Sequence, residues 1–164
     1  MKSSCRTWSD PDPLLLRPAG RSDSGLLLEW RNHPTVRRAS FQQEPIDATT
    51  HRRWLAGVLA DARRRLYIAM WQGEPVGMLR LDLDGRDGAE LSLLVDPGHR
   101  GRGMGRRLLG RAMDLARRLG LRRLHARVRP DNRVSRHLFS SCGWRQAAAV
   151  PGEAVHFSRS TGSD

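Results

Sequence analysis

The alternation of apolar and polar residues divides this chain into short strands and amphipathic helices. The clearest helix follows a glycine-rich segment in the second half, where apolar side chains recur every three or four residues. These residues are Met104, Leu108, Leu109, Ala112, Met113, Ala116 and Leu119. Strand-like apolar runs cover 66–71, 75–83 and 89–95. The Gln72-Gly73 pair between the first two runs predicts an antiparallel hairpin.

The N-terminal part predicts one short strand and two helices. The strand covers 13–17. The first helix is capped by Asp23 and ends before Pro34, because the residue preceding a proline avoids helical geometry. The second helix is capped by Thr49. The side chains expected to be buried are Leu26, Leu27 and Trp30 on the first helix and Trp54, Leu55, Val58 and Leu59 on the second.

The C-terminal part predicts a strand, a helix and two closing strands. The strand covers 121–128, and the helix begins at 130–132 and is ended by Gly143. The closing strands cover 144–150 and 154–158. The resulting order, β-α-α-β-β-β-α-β-α-β-β, describes an α/β fold with a single mixed sheet of about seven strands flanked by four helices.

The length of 164 residues predicts one domain. We assign that domain to 13–160 and interpret 1–12 as a flexible leader. The leader lacks the apolar core of a secretory signal, and no apolar run reaches the length of a membrane span, so a cytoplasmic protein is expected. Cys5 and Cys142 do not form a disulfide framework, and no metal-binding pattern is present in the sequence.

The net charge of +12 arises from 29 basic and 17 acidic residues. Such an excess can indicate nucleic-acid binding. The arginines are spread from Arg6 to Arg159 rather than gathered in one tract, which is typical of solvated faces. We therefore expect no nucleic-acid partner, although the positive field favours small anionic ligands.

The most informative segment lies between the strand over 89–95 and the helix that follows it. Its residues are Arg100, Gly101, Arg102, Gly103, Met104, Gly105 and Arg106. Glycines let backbone N–H groups approach a ligand, and a helix start adds unpaired donors and partial positive charge. The segment therefore predicts a phosphate or pyrophosphate site. The alternative is an ordinary glycine-rich turn at a helix start.

The spacing of the glycines excludes two common phosphate loops. A Walker A loop needs a lysine, and the only lysine is Lys2. A Rossmann fingerprint counted from Gly101 would need glycine where Arg106 stands. Arg100, Gly103 and Gly105 instead fit Arg/Gln-x-x-Gly-x-Gly/Ala. That pattern resembles the acetyl-coenzyme A loop of the GNAT superfamily of N-acetyltransferases.

A second segment carries the same resemblance independently. The residues from Asn132 to Trp144 are similar to the superfamily's Asn-x-x-(Ala/Ser)-x-x-Leu-(Tyr/Phe)-x-x-x-Gly-Phe. The resemblance implies the GNAT fold over 13–158. It also implies an enzyme that moves an acetyl group from acetyl-CoA to a primary amine by direct attack in a ternary complex.

A narrower resemblance lies near the N-terminus and points to the acceptor. Scattered residues there look like those of sugar-nucleotide N-acetyltransferases of the pseudaminic acid pathway and, more distantly, ribosomal-protein N-acetyltransferases. These residues are Leu16-Arg17-Pro18, Glu29 to Pro34, Val36-Arg37, Phe41, Ile46, His51 and Trp54. The favoured acceptor is thus a small-molecule amine carried on a UDP-sugar. A protein N-terminus or another small amine is the alternative acceptor. For the oligomeric state, a monomer and a homodimer both stay open.

The resemblance also implies which residues hold the donor. Leu93, Leu94 and Val95 would pair with the pantetheine arm, and the N–H of Leu94 or Val95 would stabilise the oxyanion. The glycine-rich segment would hold the pyrophosphate. Asn132 and Ser135 would contact the pantetheine or the departing sulfur.

Phe139 departs from the family pattern. It occupies the position where many relatives carry a tyrosine that protonates the leaving thiolate, and phenylalanine has no proton to donate. Ser135 or water would then supply the proton. The alternative is a catalytically weakened protein that binds coenzyme A.

The group that takes the proton from the amine and the site that binds the amine substrate are predicted less directly. Glu90, Ser92 and Leu94 share one strand face, so Glu90 either acts as general base in the cleft or pairs with an arginine. His51 and His125 are weaker candidates.

For the acceptor, Trp30 would stack on a sugar or base, and Arg31 and Arg37 would hold a diphosphate. Asn32 is included in this site. The alternative is that Trp30 packs in the core and Arg31 is solvated.

Overall fold

The computed structural model describes residues 14–148 and 150–162. Its seven-stranded sheet has the spatial order β1-β2-β3-β4-β5-β7-β6. The strands are β1 (Leu15–Pro18), β2 (Arg64–Trp71), β3 (Glu74–Leu83), β4 (Gly88–Val95), β5 (Arg123–Val128), β6 (Arg145–Gln146) and β7 (Val155–Ser160). Only β4 and β5 pair in parallel among these described strands. The predicted single mixed sheet is confirmed, while the leader over 1–12, with Cys5, lies outside the described residues.

Five α-helices form in the described part of the chain, where four were predicted. They are α1 (Ser24–Asn32), α2 (Pro34–Ala39), α3 (Ala48–Ala60), α4 (Met104–Arg118) and α5 (Arg133–Ser141). The sequence prediction missed α2. Pro34 ends α1 as expected, but it also starts α2, because its fixed φ suits the first position of a helix. The ring of His33 caps α2 by accepting the N–H of Thr35 at 3.3 Å.

The predicted cap of α3 was wrong by two residues. Asp47, not Thr49, precedes the helix, and its Oδ1 accepts the N–H of Thr50 at 2.9 Å. Asp23 does precede α1, but its carboxylate binds Arg17 at 2.7 Å and accepts the N–H of Gly20 at 2.8 Å. Asp23 therefore ties β1 to the start of α1.

Hydrophobic side chains cover both faces of the sheet. The larger core joins the sheet to α4 and α5, and the smaller core joins it to α1 and α3 through Leu27, Trp30, Leu55 and Val58, among others. Leu59, predicted on the buried side of its helix, is 37% exposed, and Leu119, the last residue of the apolar pattern that begins at Met104, is 41% exposed. Both lie at the C-terminal end of a helix, where periodicity identifies the inward face but not the point at which the neighbouring layer ends.

The hairpin prediction is confirmed, and of the two closing strands β6 is shorter than predicted, whereas β7 extends to Ser160. Gln72 and Gly73 have φ values of 51° and 80°, the left-handed conformation of a two-residue hairpin turn. β6 covers two residues, where a strand over 144–150 was predicted. Trp144 is buried in the larger core instead of pairing in the ladder.

Two kinds of feature, a membrane-spanning helix and a cluster of metal-ligating side chains, are not found among the described residues. No helix there combines the length and apolarity needed to cross a membrane. No group of three or more metal-ligating side chains is gathered there either.

Candidate active site

The parallel strands β4 and β5 separate before they end. They pair only where Gly88–Glu90 meets Arg123–His125, although β4 continues to Val95 and β5 to Val128. Beyond this point the strands border a cavity of about 1020 Å³, here named the β4–β5 cavity. The backbone of β4 from Leu91 onward faces this space instead of a neighbouring strand. A ligand with amide groups can pair there as an added strand would.

The other side of β4 is held unusually close to β3. A Cβ atom at Gly77 would collide with the carbonyl oxygen of Leu94. Gly77 pairs with Val95, and the next N–H, that of Asp96, donates to the carbonyl of Val76 at 2.8 Å. The close approach that glycine permits therefore fixes the position of the Leu94–Val95 backbone.

The glycine-rich segment forms one end of the β4–β5 cavity. Gly101 and Gly103 both have φ of 74°, a conformation that glycine adopts without strain. The N–H of Arg107 donates to the carbonyl of Gly103 at 3.1 Å as α4 begins. The earlier N–H groups of the first turn have no intrahelical acceptor, and a helix start carries partial positive charge. This end of the cavity suits a phosphoryl group.

Most residues of this segment line the cavity. They are Arg100, Gly101, Gly103, Met104, Gly105 and Arg106. Arg102 does not line it and is exposed. The guanidinium of Arg100 donates to the hydroxyl of Thr35 at 2.8 Å, and that of Arg106 donates to the hydroxyl of Ser141 at 3.2 Å.

The wall of the β4–β5 cavity is strongly basic. Its arginines are Arg38, Arg100, Arg106, Arg127, Arg129 and Arg133, and Asp131 is the one acidic residue among the described lining. The carboxylate of Asp131 lies 2.6 Å from Arg129. The hydrogen bond and the charge of Arg129 lower the pKa of Asp131, so this carboxyl is ionised at neutral pH. The remaining positive charge favours a polyanionic ligand.

Three residues of the predicted Asn132 segment border the same cavity. Asn132 caps α5 by accepting the N–H of Ser135 at 3.1 Å, and both residues line the cavity. Phe139 also lines it, but it is only 4% exposed. Its ring lies 4.9 Å from that of Trp144 and 5.3 Å from that of Phe157. Phe139 therefore joins the cavity wall to the larger core.

A second cavity of about 390 Å³ lies beside the first. We name it the α1–α3 cavity, because α1, α3 and the strands β3 and β4 supply most of its wall. Both cavities are bordered by Val36, Ser40, Ser92, Leu93 and Leu94. The two spaces therefore meet at the C-terminal half of β4, where its edge is open.

Glu90 lies outside both cavity walls. Its Oε1 accepts a hydrogen bond from Nε of Arg127 at 3.0 Å, so the ion-pair alternative is present in the structure. The guanidinium of Arg127 lies over the ring of Phe41 at 5.8 Å. His125, which pairs with Glu90 across the ladder, also lies outside the walls.

Trp30 and Arg31 both line the α1–α3 cavity. Trp30 is 4% exposed and packs in the smaller core as well. One guanidinium nitrogen of Arg31, Nη2, donates to the carbonyl of Gln42, while Nη1 is buried without a hydrogen-bond partner. Burial and the nearby charge of Arg37 lower the pKa of Arg31. A buried cationic donor without an acceptor favours an anionic ligand.

Asn32 and Arg37 line neither cavity. The amide of Asn32 donates to the carbonyl of Ile46 and accepts its N–H, both at 2.8 Å. Nε of Arg37 donates to the carbonyl of Gln43 at 2.7 Å. These two side chains hold the loop over 40–47, which borders the α1–α3 cavity.

Three further residues line this wall that were not predicted to bind the acceptor: His51, Trp54 and Arg80. His51 is 2% exposed, with Nδ1 at 3.2 Å from the hydroxyl of Ser24 and its ring at 5.2 Å from that of Trp54. Arg80 lies over Trp54 at 6.0 Å and pairs with Asp82 at 2.8 Å. Alternation along β3 places Arg80 on the same face as Met78, which is a signal that could have identified it.

The comparison with known families decides the identity of the fold. A sequence model of the acetyltransferase (GNAT) family matches residues 26–144. The chain belongs to this GNAT family. The match includes both segments that carried the resemblance and the whole of β4 and α4.

Individual GNAT proteins resemble the chain over most of its length. It is 29% identical to the L-methionine sulfoximine/L-methionine sulfone acetyltransferase of Salmonella typhimurium, covering 89% of this chain and 88% of that protein. It is also 29% identical to the L-amino acid N-acyltransferase MnaT of Escherichia coli, covering 88% and 87%. The spermidine N-acetyltransferase of Vibrio cholerae, solved with CoA and spermine, superposes with a TM-score of 0.79 at 21% identity, covering 90% and 95%.

Membership of the GNAT family identifies the activity in general terms. The protein is an acetyl-CoA-dependent N-acetyltransferase. The features expected of a CoA site are present, since an open strand edge, a glycine-rich helix start and a basic wall border one cavity. The fold and the co-substrate predicted from the sequence are confirmed.

Proposed function

We propose that acetyl-CoA occupies the β4–β5 cavity and the acceptor amine occupies the α1–α3 cavity. The supporting observation is that the two cavities share Leu93 and Leu94, at the open edge of β4. An amine and a thioester bound on either side of this shared wall would be close enough to react directly.

Backbone groups supply most of the proposed donor site. The main chain of Leu93, Leu94 and Val95 pairs with the pantetheine arm, and the amides of Gly101, Gly103 and Gly105 hold the pyrophosphate. Arg100 and Arg106 add charge from the wall, and Arg102 adds charge from outside it. Asn132 and Ser135 contact the pantetheine near its sulfur. These contacts leave the thioester beside β4.

The chain's own groups then assist the transfer. When bound, acetyl-CoA supplies the thioester carbonyl that the amine attacks. The N–H of Val95, which points away from β3 because the N–H of the following Asp96 donates to Val76, donates to the oxygen on which negative charge develops. Phe139 cannot protonate the leaving sulfur, so the hydroxyl of Ser135 has this role in our proposal.

We infer that the acceptor is a free α-amino acid. Its carboxylate would accept a hydrogen bond from Nη1 of Arg31, which is buried without a partner. The described lining of the α1–α3 cavity includes Arg31 and Arg80 and no aspartate or glutamate. Arg80 is paired with Asp82, so the charge of Arg31 is the one that favours an anionic acceptor and disfavours a polyamine. The volume of about 390 Å³ lies near the lower end of the 300–1,000 Å³ usual for small-molecule sites.

The amino-sugar acceptor remains a second candidate because a diphosphate could also bind Arg31. The relatives reported above favour the amino acid, since the two that match most of the chain are named for L-methionine derivatives and L-amino acids. A nucleotide sugar would also have to extend beyond a cavity of this size.

Thiol release from acetyl-CoA tests this proposal with four acceptors: L-amino acids, their carboxamides, UDP-linked 4-amino sugars and spermidine. We expect turnover with free amino acids, and at least a tenfold lower kcat/KM with the matched carboxamides, because these lack the anionic oxygen. Preference for the UDP-sugar, or equal use of acid and carboxamide, would overturn the amino-acid assignment. The acetyl-CoA site would stand in either case.

A further inference from the structure

His51 differs from every other side chain on the described wall of the α1–α3 cavity. The other ionisable groups there are the guanidinium groups of Arg31 and Arg80, which have hydrogen-bond donors but no acceptor. Glu90 lies outside this wall. Imidazole is therefore the one ionisable lining group that can accept a proton near neutral pH. A primary amine must lose a proton when it is acetylated, so this residue has the chemistry that the reaction needs.

The imidazole of His51 is held in place from two sides. Nδ1 lies 3.2 Å from the hydroxyl of Ser24, on the first turn of α1, and the ring packs at 5.2 Å against Trp54. A proton on Nδ1, donated to Ser24, leaves the lone pair of the ring on Nε2. The hydroxyl of Ser24 can accept as well as donate, so this contact is compatible with the tautomer that accepts a proton on Nε2.

The charges around His51 favour its neutral form. Arg31 faces it from α1, and Arg80 shares the cavity wall from β3. On its own helix, the N–H of His51 donates to the backbone carbonyl of Asp47, whose carboxylate binds Thr50. Burial and the charge of Arg31 lower the pKa of His51. The imidazole is therefore uncharged at neutral pH, as a proton acceptor must be.

We propose that His51 is the catalytic residue that accepts the amine proton during acetyl transfer. The amine nitrogen forms a bond to the acetyl carbon, the carbon–sulfur bond breaks with its electron pair leaving on sulfur, and the nitrogen's proton passes to Nε2. This inference rests on the proposed function, because it requires the amine to bind in the α1–α3 cavity. It gives Glu90 a different role: Glu90 positions Arg127 through their 3.0 Å hydrogen bond.

The test compares pH profiles of kcat/KM for the parent enzyme, His51→Gln and His156→Gln. His156 is an exposed histidine on β7, outside both cavities, so it serves as the matched control. Each profile uses the amine that the parent acetylates fastest, so that an error in acceptor identity is separated from an error about His51.

The parent should lose activity at acid pH as His51 becomes protonated. His51→Gln should lower kcat by about 10²-fold or more and remove the part of the acidic limb that titrates with imidazole, because glutamine cannot take up the proton. The part set by protonation of the acceptor amine should stay. Thermal stabilisation by acetyl-CoA should be unchanged in His51→Gln, since the β4–β5 cavity does not include residue 51. His156→Gln should keep both the rate and the limb.

Two results would overturn the proposal. One is a His51→Gln enzyme that keeps the whole acidic limb with a rate within about threefold of the parent. The other is a limb that disappears in Glu90→Gln instead. If His51→Gln does not fold, Ser24→Ala replaces it. Loss of the hydroxyl beside Nδ1 should change the pKa of His51 and move the limb, and an unmoved limb would refute the assignment.

Discussion

A buried guanidinium nitrogen without a partner is costly at the scale of a single residue, because the water that would solvate it has been removed. Nη1 of Arg31 is in this position, whereas Nη2 is bound to the carbonyl of Gln42. A ligand oxygen at Nη1 would remove the cost. In our proposal the stability of the empty cavity and the selectivity for an acid therefore depend on the same atom.

Replacing Arg31 with glutamine should weaken acceptor binding without affecting the donor. A hydrogen bond to a charged group contributes about 1.5–3 kcal/mol, so KM for a free amino acid should rise roughly 10- to 150-fold. The preference for the amino acid over its carboxamide should disappear with it. Steady-state kinetics with both acceptors checks this, and KM for acetyl-CoA should stay constant.

Arg37→Gln is the matched control for that variant. Arg37 also binds a carbonyl of the loop over 40–47, but it lines neither cavity. If both variants lose the carboxylate preference equally, the effect comes from a loosened loop rather than from a lost ligand to the substrate.

Single residues also show where prediction from sequence succeeds and where it stops. The glycine loop could be predicted because strand, glycines and helix start are contiguous in the chain. The wall of the α1–α3 cavity could not, since His51 and Arg80 are distant in sequence and meet only when α3 packs on the sheet. Arg31 and Arg37 also look alike in sequence, and the structure distinguishes them because Arg31 lines the α1–α3 cavity while Arg37 lines neither cavity.

At the scale of elements, the separation of β4 from β5 produces both the cavity and its free backbone groups. Gly77 supports this arrangement from the opposite side, because only glycine lets β3 approach the carbonyl of Leu94. The proposed N–H donor to the reacting oxygen is thus positioned by a residue on the neighbouring strand.

Gly77→Ala should therefore affect both stability and catalysis. The added methyl group must push β4 away, which we expect to cost about 1–3 kcal/mol of unfolding free energy and to lower kcat at least tenfold. Chemical denaturation and kinetics measure the two effects.

Gly110→Ala provides the contrast for this variant. Gly110 lies within α4, and a Cβ there meets no atom within 4 Å. Its replacement should stabilise the protein by about 0.5–1 kcal/mol, as expected for alanine in a helix interior. A Gly77→Ala enzyme that retains full activity would show that the close β3–β4 approach does not position the N–H of Val95.

Element prediction failed mainly at short or terminal elements. α2 was missed because a proline that ends one helix can also start another. β6 was predicted too long because apolar residues after Trp144 resemble a strand, although only two residues pair with β7. The long amphipathic α4 and the central strands were predicted well, since their periodicity extends over many residues.

At the scale of the whole molecule, an excess of 12 positive charges acts together with the local basic wall. Both favour the polyanionic donor, and salt screens such interactions over roughly 10 Å at 0.1 M. Donor binding should therefore depend on ionic strength more strongly than acceptor binding, which uses few charges in a small cavity.

Thermal unfolding with and without acetyl-CoA tests the donor site as a whole. At about 100 times Kd, ligand binding contributes roughly 2.7 kcal/mol, which corresponds to about 5–10 °C in Tm for a chain of this size. The shift at a fixed concentration of acetyl-CoA should decrease as salt is raised. Gly103→Glu should abolish it by placing a negative charge where the pyrophosphate binds.

Gly120→Glu controls for the backbone strain in that variant. Gly120 follows the opposite end of α4 and has nearly the same φ, 71° against 74°. Its replacement should lower Tm through similar strain while leaving the acetyl-CoA shift intact. Loss of the shift in both variants would show that folding, not phosphate binding, was disturbed.

The loop over 40–47 is clasped by Arg31, Asn32 and Arg37 through main-chain atoms of 42, 43 and 46. Because these hydrogen bonds end on main-chain atoms, they do not depend on which side chains the loop carries. Gln42, which borders the α1–α3 cavity, can therefore be exchanged while its carbonyl stays anchored. In the proposed acceptor site, substitutions at Gln42 and Ile46 are therefore a route to a changed acceptor range, because these two residues line the α1–α3 cavity and not the β4–β5 cavity.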